Sequence, residues 1–121
     1  MALEHEIEQL GRRMGIANLA LSAEGMMAFD VDGMGRVFLD LKSGELLVYL
    51  ARSVPSHDRG MAGRILAVCH YRNAHPVPLS GGVHNGLAIL LTRMAERRVS
   101  TAFLENTVNY LAQQMNTVFR A

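Results

Sequence analysis

Apolar and polar residues alternate in three short runs early in the chain. In the first, Met27, Phe29 and Val31 share one side, and Asp30 and Asp32 take the other. In the second, Val37, Leu39 and Leu41 share one side, opposite Arg36 and Asp40. A third run, Glu45 to Arg52, follows directly. Strand side chains repeat every two residues, so each run predicts a strand with one buried and one wetter face. Gly33-Met34-Gly35 and Lys42-Ser43-Gly44 separate the runs. Turns this short permit only antiparallel neighbours. The prediction is an antiparallel meander over residues 26–52.

Elsewhere the period lengthens. Leu3, Ile7, Leu10 and Met14 form a single stripe and predict a helix over residues 2–14. Its glutamates lie early and Arg12 and Arg13 late, as the helix dipole favours, and Gly15 is the stop. Residues 16–21 read as a connector and 22–25 as a turn. After Pro55, Ser56 is the expected cap of a second helix from His57 to Arg72. Gly60 and Gly63 weaken that helix by roughly 1 kcal/mol each, so close packing must compensate. Met61, Ile65, Leu66, Val68 and Cys69 spread over more than one stripe, which calls for two partner surfaces: the sheet and a second copy of the chain.

Asn73-Ala74-His75-Pro76 should end that helix. Pro76 and Pro78 demote the next segment to an edge strand. Asn85-Gly86 is a strong hairpin signal and predicts that residues 77–84 pair with 87–95. The second of these strands is apolar on both faces, as a central strand would be. Ser100 or Thr101 caps a last helix, striped by Leu104, Val108, Leu111, Met115 and Val118. The expected class is α+β. Its order is α-β-β-β-α-β-β-α, a twisted antiparallel sheet covered by helices, in one domain spanning residues 1–121.

Composition narrows the function. Half of the 121 residues are hydrophobic and 19% are charged, which is globular rather than disordered. A single cysteine, Cys69, excludes an internal disulfide and fits a reducing compartment. No apolar run approaches the ~18 residues of a membrane span, and the acidic start Met-Ala-Leu-Glu-His-Glu is unlike a signal peptide. A cytoplasmic protein with no membrane partner is expected. Net charge is +1, and Arg12-Arg13 and Arg97-Arg98 are isolated basic pairs, so nucleic acid is not an expected partner. The eight methionines offer adaptable apolar surface.

Two stretches carry candidate chemistry. Ala28-Phe29-Asp30-Val31-Asp32-Gly33 resembles the first motif of haloacid-dehalogenase-type phosphatases. In those enzymes the first aspartate attacks phosphorus and the second acts as general acid. That chemistry also needs a lysine, further acidic residues for magnesium and a parallel sheet. Here the only lysine, Lys42, lies one strand away, and the next element is another strand. The aspartates therefore read as the polar face of a strand. Cys69-His70 and His75 fall short of the four ligands of structural zinc. Adjacent helical residues point about 100° apart, so Cys69 and His70 do not form a thiol–base pair. Neither catalysis, a metal nor a cofactor is expected. What remains is shape: an uncovered sheet edge is a template for an added strand.

The element order, length and apolar texture resemble the class I type III secretion chaperones, the CesT/SycE-type Tir chaperone family. The likeness runs from Leu3, Ile7, Leu10 and Gly15, through Phe29-Asp30-Val31-Asp32 and Leu46-Leu47-Val48-Tyr49-Leu50, to Gly86-Leu87-Ala88-Ile89-Leu90-Leu91 and the closing helix. It implies a bacterial cytoplasmic homodimer without catalysis. The chaperone would bind the N-terminal non-globular segment of a secreted effector and keep it secretion-competent. In relatives the second helix and the fourth strand make the dimer, which maps here onto Met61, Ile65, Leu66, Cys69 and Val83. The expected effector contacts are Leu10 and Met14 on the first helix and Phe29, Val31, Phe38 and Leu39 on the early strands. On that reading Phe29→Asp abolishes effector binding and spares the dimer. The alternatives are a small DxDG-type phosphatase and a regulatory anti-activator or adaptor on the same fold.

Overall fold

The computed structural model describes residues 2–70 and 74–120. The strands are β1 (Met26–Val31), β2 (Gly35–Lys42), β3 (Glu45–Ser53), β4 (Ser80–His84) and β5 (Leu87–Ala95). They form one antiparallel sheet in the order β1-β2-β3-β5-β4, so the meander is present and β5 is central. Two tight turns set its register. Ser43 and Gly44 have φ of 51° and 79°, and Asn85 and Gly86 of 50° and 76°. Positive φ at both central residues matches the twist of flanking strands, which is why the Asn-Gly signal held.

The helices are α1 (Ala2–Arg13), α2 (Met61–Val68) and α3 (Thr101–Arg120). Their apolar stripes join one row of strand residues: Phe29 opposite Val37, Val37 opposite Leu50, and Leu50 opposite Leu90. With Leu3, Ile7 and Leu10 of α1, Met61 and Ile65 of α2, and Leu104, Val108, Leu111, Met115 and Val118 of α3, these residues make one buried cluster. All three helices thus serve the same face of the sheet. At Gly81, beside Leu90, an added Cβ would lie 2.9 Å from Ile65, so glycine is what lets α2 seat against β4.

Polar ties fix the helix layer. Arg13 donates from Nε and Nη2 to Glu105 Oε1, at 3.0 and 2.7 Å, joining α1 to α3. Glu6 of α1 accepts the Thr101 N–H at 2.8 Å, and Ser100 Oγ accepts that of Phe103 at 3.1 Å; together they cap α3. The Arg52 guanidinium donates to the carbonyls of Gly33 and Met34 and to Asn116 Oδ1, and lies 5.0 Å over the Phe119 ring. It pins the β1–β2 turn to the end of α3. Burial lowers its pKa.

Two boundaries differ from expectation. α2 begins at Met61 rather than His57, with Gly60 at its N-cap, and Ser56 caps nothing. Asp58 takes the Gly60 N–H at 3.0 Å, a local turn that competes with helix. The helix ends at Val68, and residues 71 and 72 of the expected span lie outside the described residues. β4 begins at Ser80 rather than 77, because Pro76 and Pro78 have no N–H to give a ladder.

Candidate partner-binding surfaces

Among the described residues, no helix covers the second face of the sheet. Its central row runs Ala28, Phe38, Tyr49, Leu91 and Ser80, each opposite the next. The Phe38 and Tyr49 rings stack at 5.0 Å with 13° between planes, and the Arg36 guanidinium lies 5.8 Å over Phe38. Phe38, Leu47, Tyr49, Ile89 and Leu91 are all half-buried. Where the β1–β2 turn meets β3, a groove of ≈ 670 Å³ is lined by Phe38, Ala51 and Leu87, with Asp30, Asp32 and Arg36 around it.

Asp40 stands on this same face and is only 5% exposed. Lys42 Nζ is 3.6 Å from its Oδ2, and Oδ1 has no hydrogen-bond partner among the described residues.

Two edges bound the sheet. Gly25 O accepts from Leu41 N–H, which sets the phase of the β1–β2 ladder. Met26 therefore points its backbone groups outward, and Ser22 engages both: its N–H donates to Met26 O at 2.8 Å, and its Oγ accepts from Met26 N–H at 3.2 Å. Ala28 and Asp30 follow in the same phase and present their N–H and C=O groups at the free edge. At the other edge, His84 and Leu87 flank a two-residue turn and so form a bonded pair, which turns Gly81 and Val83 outward. Beside them α2 exposes Ala62, Gly63 and Leu66. Leu66 is 66% exposed and Val83 41%.

The residues singled out by sequence divide accordingly. Leu10, Phe29 and Leu39 are buried in the helix-side core. Met14 and Val31 are half-buried and pack against its margin. Phe38 alone of the six is on the uncovered face. In the second set, Met61 and Ile65 are buried in the core of the same chain, Cys69 is half-buried, and Leu66 and Val83 face outward. The expected effector contacts thus fall on both sides of the sheet: five lie on or beside the helix-covered side, and Phe38 lies on the open one. Tyr49, Leu91 and Asp40 share that open face and are not among the residues singled out. The signal for the first two was that β3 and β5 are apolar on both faces.

The chemical motifs have structural roles. Asp30 lies 3.6 Å from Arg36, its cross-strand neighbour, and β1 is the edge of an antiparallel sheet, not the heart of a parallel one. No three His, Cys, Asp or Glu side chains gather among the described residues. The His75 Nε2–H donates to Val68 O at 2.9 Å, which leaves Nδ1 to accept from the Tyr110 hydroxyl. That pair ties the loop after α2 to α3. Burial pushes the Cys69 thiol up, the reverse of what an activated nucleophile requires. Arg64 bonds Asp58 and also donates to Val118 O at 2.5 Å, clamping α2 to α3; the bond from Arg64 holds the Asp58 carboxyl below its ordinary range. No helix among the described residues is long and apolar enough to cross a membrane.

No family model and no curated protein sequence matches the chain. Solved structures do. A chain of the HopA1–SchA chaperone–effector complex superposes with a TM-score of 0.71 at 14% identity, over 97% of this chain and 92% of that one. The structure of the Yersinia pestis type III secretion chaperone SycH with a stable fragment of YscM2 gives 0.71 at 12% identity, over 96% and 98%. The ExsC–ExsE complex gives 0.73 at 20% identity, over 96% and 87%. The chain has the class I type III secretion chaperone fold. The superpositions span 96–97% of this chain, so its helices and its sheet together correspond to that fold.

Proposed function

We propose that the protein is a dimeric type III secretion chaperone. It acts as a single domain in the bacterial cytoplasm, binds the N-terminal non-globular segment of a secreted effector and keeps that segment secretion-competent. The observation that carries this reading is a chaperone-type fold with two apolar surfaces left bare. Its partner is protein rather than nucleic acid or lipid, and the surfaces suit binding rather than catalysis.

The two surfaces suit two occupants. Leu66 and the small residues Ala62 and Gly63 on α2, beside Val83 on β4, fit a second copy, since small residues let helices approach closely. Met61, Ile65 and Cys69 support that contact from behind. The uncovered sheet face and the β1 edge fit the effector. Ordering an extended segment costs roughly 1–2 kcal/mol per residue, so it needs a long apolar footprint together with strand addition. Phe38 supplies footprint, and Ala28 and Asp30 supply the edge. Met14 and Val31 border the site, while Leu10, Phe29 and Leu39 hold the strands beneath it.

Native mass spectrometry of the protein purified from its own host tests both halves. The expected species is two copies of the chain with one effector chain. Leu66→Glu combined with Val83→Glu should yield folded monomer. A monomeric wild type that carries no second polypeptide would end this reading.

A further inference from the structure

Asp40 is a defect if the free subunit is considered alone. A carboxylate at 5% exposure holds one oxygen without a donor among the described residues. The cation that the described residues bring within 4 Å of it, Lys42, is 3.6 Å away, with a side chain 69% exposed. An unpaired buried acceptor forfeits hydration without recovering it, and a charged one forfeits more. The position makes the defect informative. Asp40 lies on the uncovered face, between Met26 and Leu47 across the sheet and between Phe38 and Lys42 along β2. Two of these four neighbours, Met26 and Lys42, are exposed, with unbranched side chains that can move aside cheaply. Lys42 also has somewhere to go, because Glu45 is its partner across the β2–β3 turn.

We infer that Asp40 is a cation-reading subsite on the docking face. The occupant is an extended, apolar partner segment carrying one arginine or lysine, whose side chain displaces Lys42 and donates to Asp40. This rests on the chaperone reading above and adds a rule for which segments the face accepts. The stacked Phe38–Tyr49 pair next to Asp40 takes the apolar residues of the segment, and the planar guanidinium of an arginine matches a carboxylate better than an ammonium does. Lys42 keeps Asp40 covered until the segment arrives and then turns toward Glu45.

The test uses the full chain and fluorescein-labelled peptides of one design, Ser-Val-Ser-Ile-Ser-X-Ser-Leu-Ser, in which X shares a side with the apolar residues. Here X is arginine, citrulline (its neutral isostere) or glutamate, and binding is read by anisotropy. The wild type should bind the arginine peptide roughly tenfold or more tightly than the citrulline one, and the glutamate peptide least. Asp40→Asn should abolish that preference, with thermal melts recording that the variant folds. Lys42→Ala removes the competing amine and should enlarge the preference. Peptides that all bind alike to the wild type would overturn the subsite and leave the chaperone reading standing, as would a preference that survives Asp40→Asn. A protein that binds none of the peptides would overturn both.

Discussion

The two faces of one sheet obey different rules. On the helix side, Val37, Leu39, Leu46, Val48, Leu50 and Leu90 are aliphatic and sealed, at 1% exposure or less. On the other side, Phe38, Tyr49 and Leu91 are half-exposed and stand among Arg36, Asp40 and Arg93. The first composition is that of a core. The second mixes aromatic and arginine residues around a patchy apolar centre, as docking surfaces do. The same five strands supply both, so stability and recognition are separable by a change of side.

The largest expected effect is on the sealed side. Leu50→Ala leaves a cavity in the core and should cost about 2–5 kcal/mol in urea unfolding. Thr92, also on that side, is 2% exposed and its hydroxyl has no partner among the described residues. Thr92→Val should therefore stabilise the protein by about 1 kcal/mol without touching peptide binding. This sharpens the contrast with Asp40, where the same kind of defect lies on the open face. Phe38→Ser should cost less than Leu50→Ala, about 1–2 kcal/mol, since it gives up one aromatic stack and part of a ring's burial. It should nevertheless remove most binding of the arginine peptide. Equal stability losses for Leu50→Ala and Phe38→Ser would erase the distinction between the faces.

Much of this architecture was legible in the residues. Alternation gave β1 and β2, Asn85-Gly86 gave the second hairpin, and the stripe from Leu104 to Val118 gave α3. The start of α2 was not legible, because Ser56 and Asp58 both look like caps and only the fold shows that Asp58 serves Gly60 and Arg64. The site was half legible. Period two says that Phe29 and Phe38 point opposite ways, but not which of them its own helices cover. Phe29→Asp, an effector-site lesion on sequence grounds, puts a charge at a core position 7% exposed and should unfold the chain. Asp40 was invisible as a site because an aspartate on a polar strand face is ordinary until its burial is known.

Ser22 occupies the outward groups of Met26 and so shortens the rim of the sheet to a berth two residues long. A visiting chain finds about four backbone bonds there, enough to fix its direction and register but too few to reward stacking copy upon copy. One hydroxyl and one amide thus separate a mooring for a guest from the seed of a fibre.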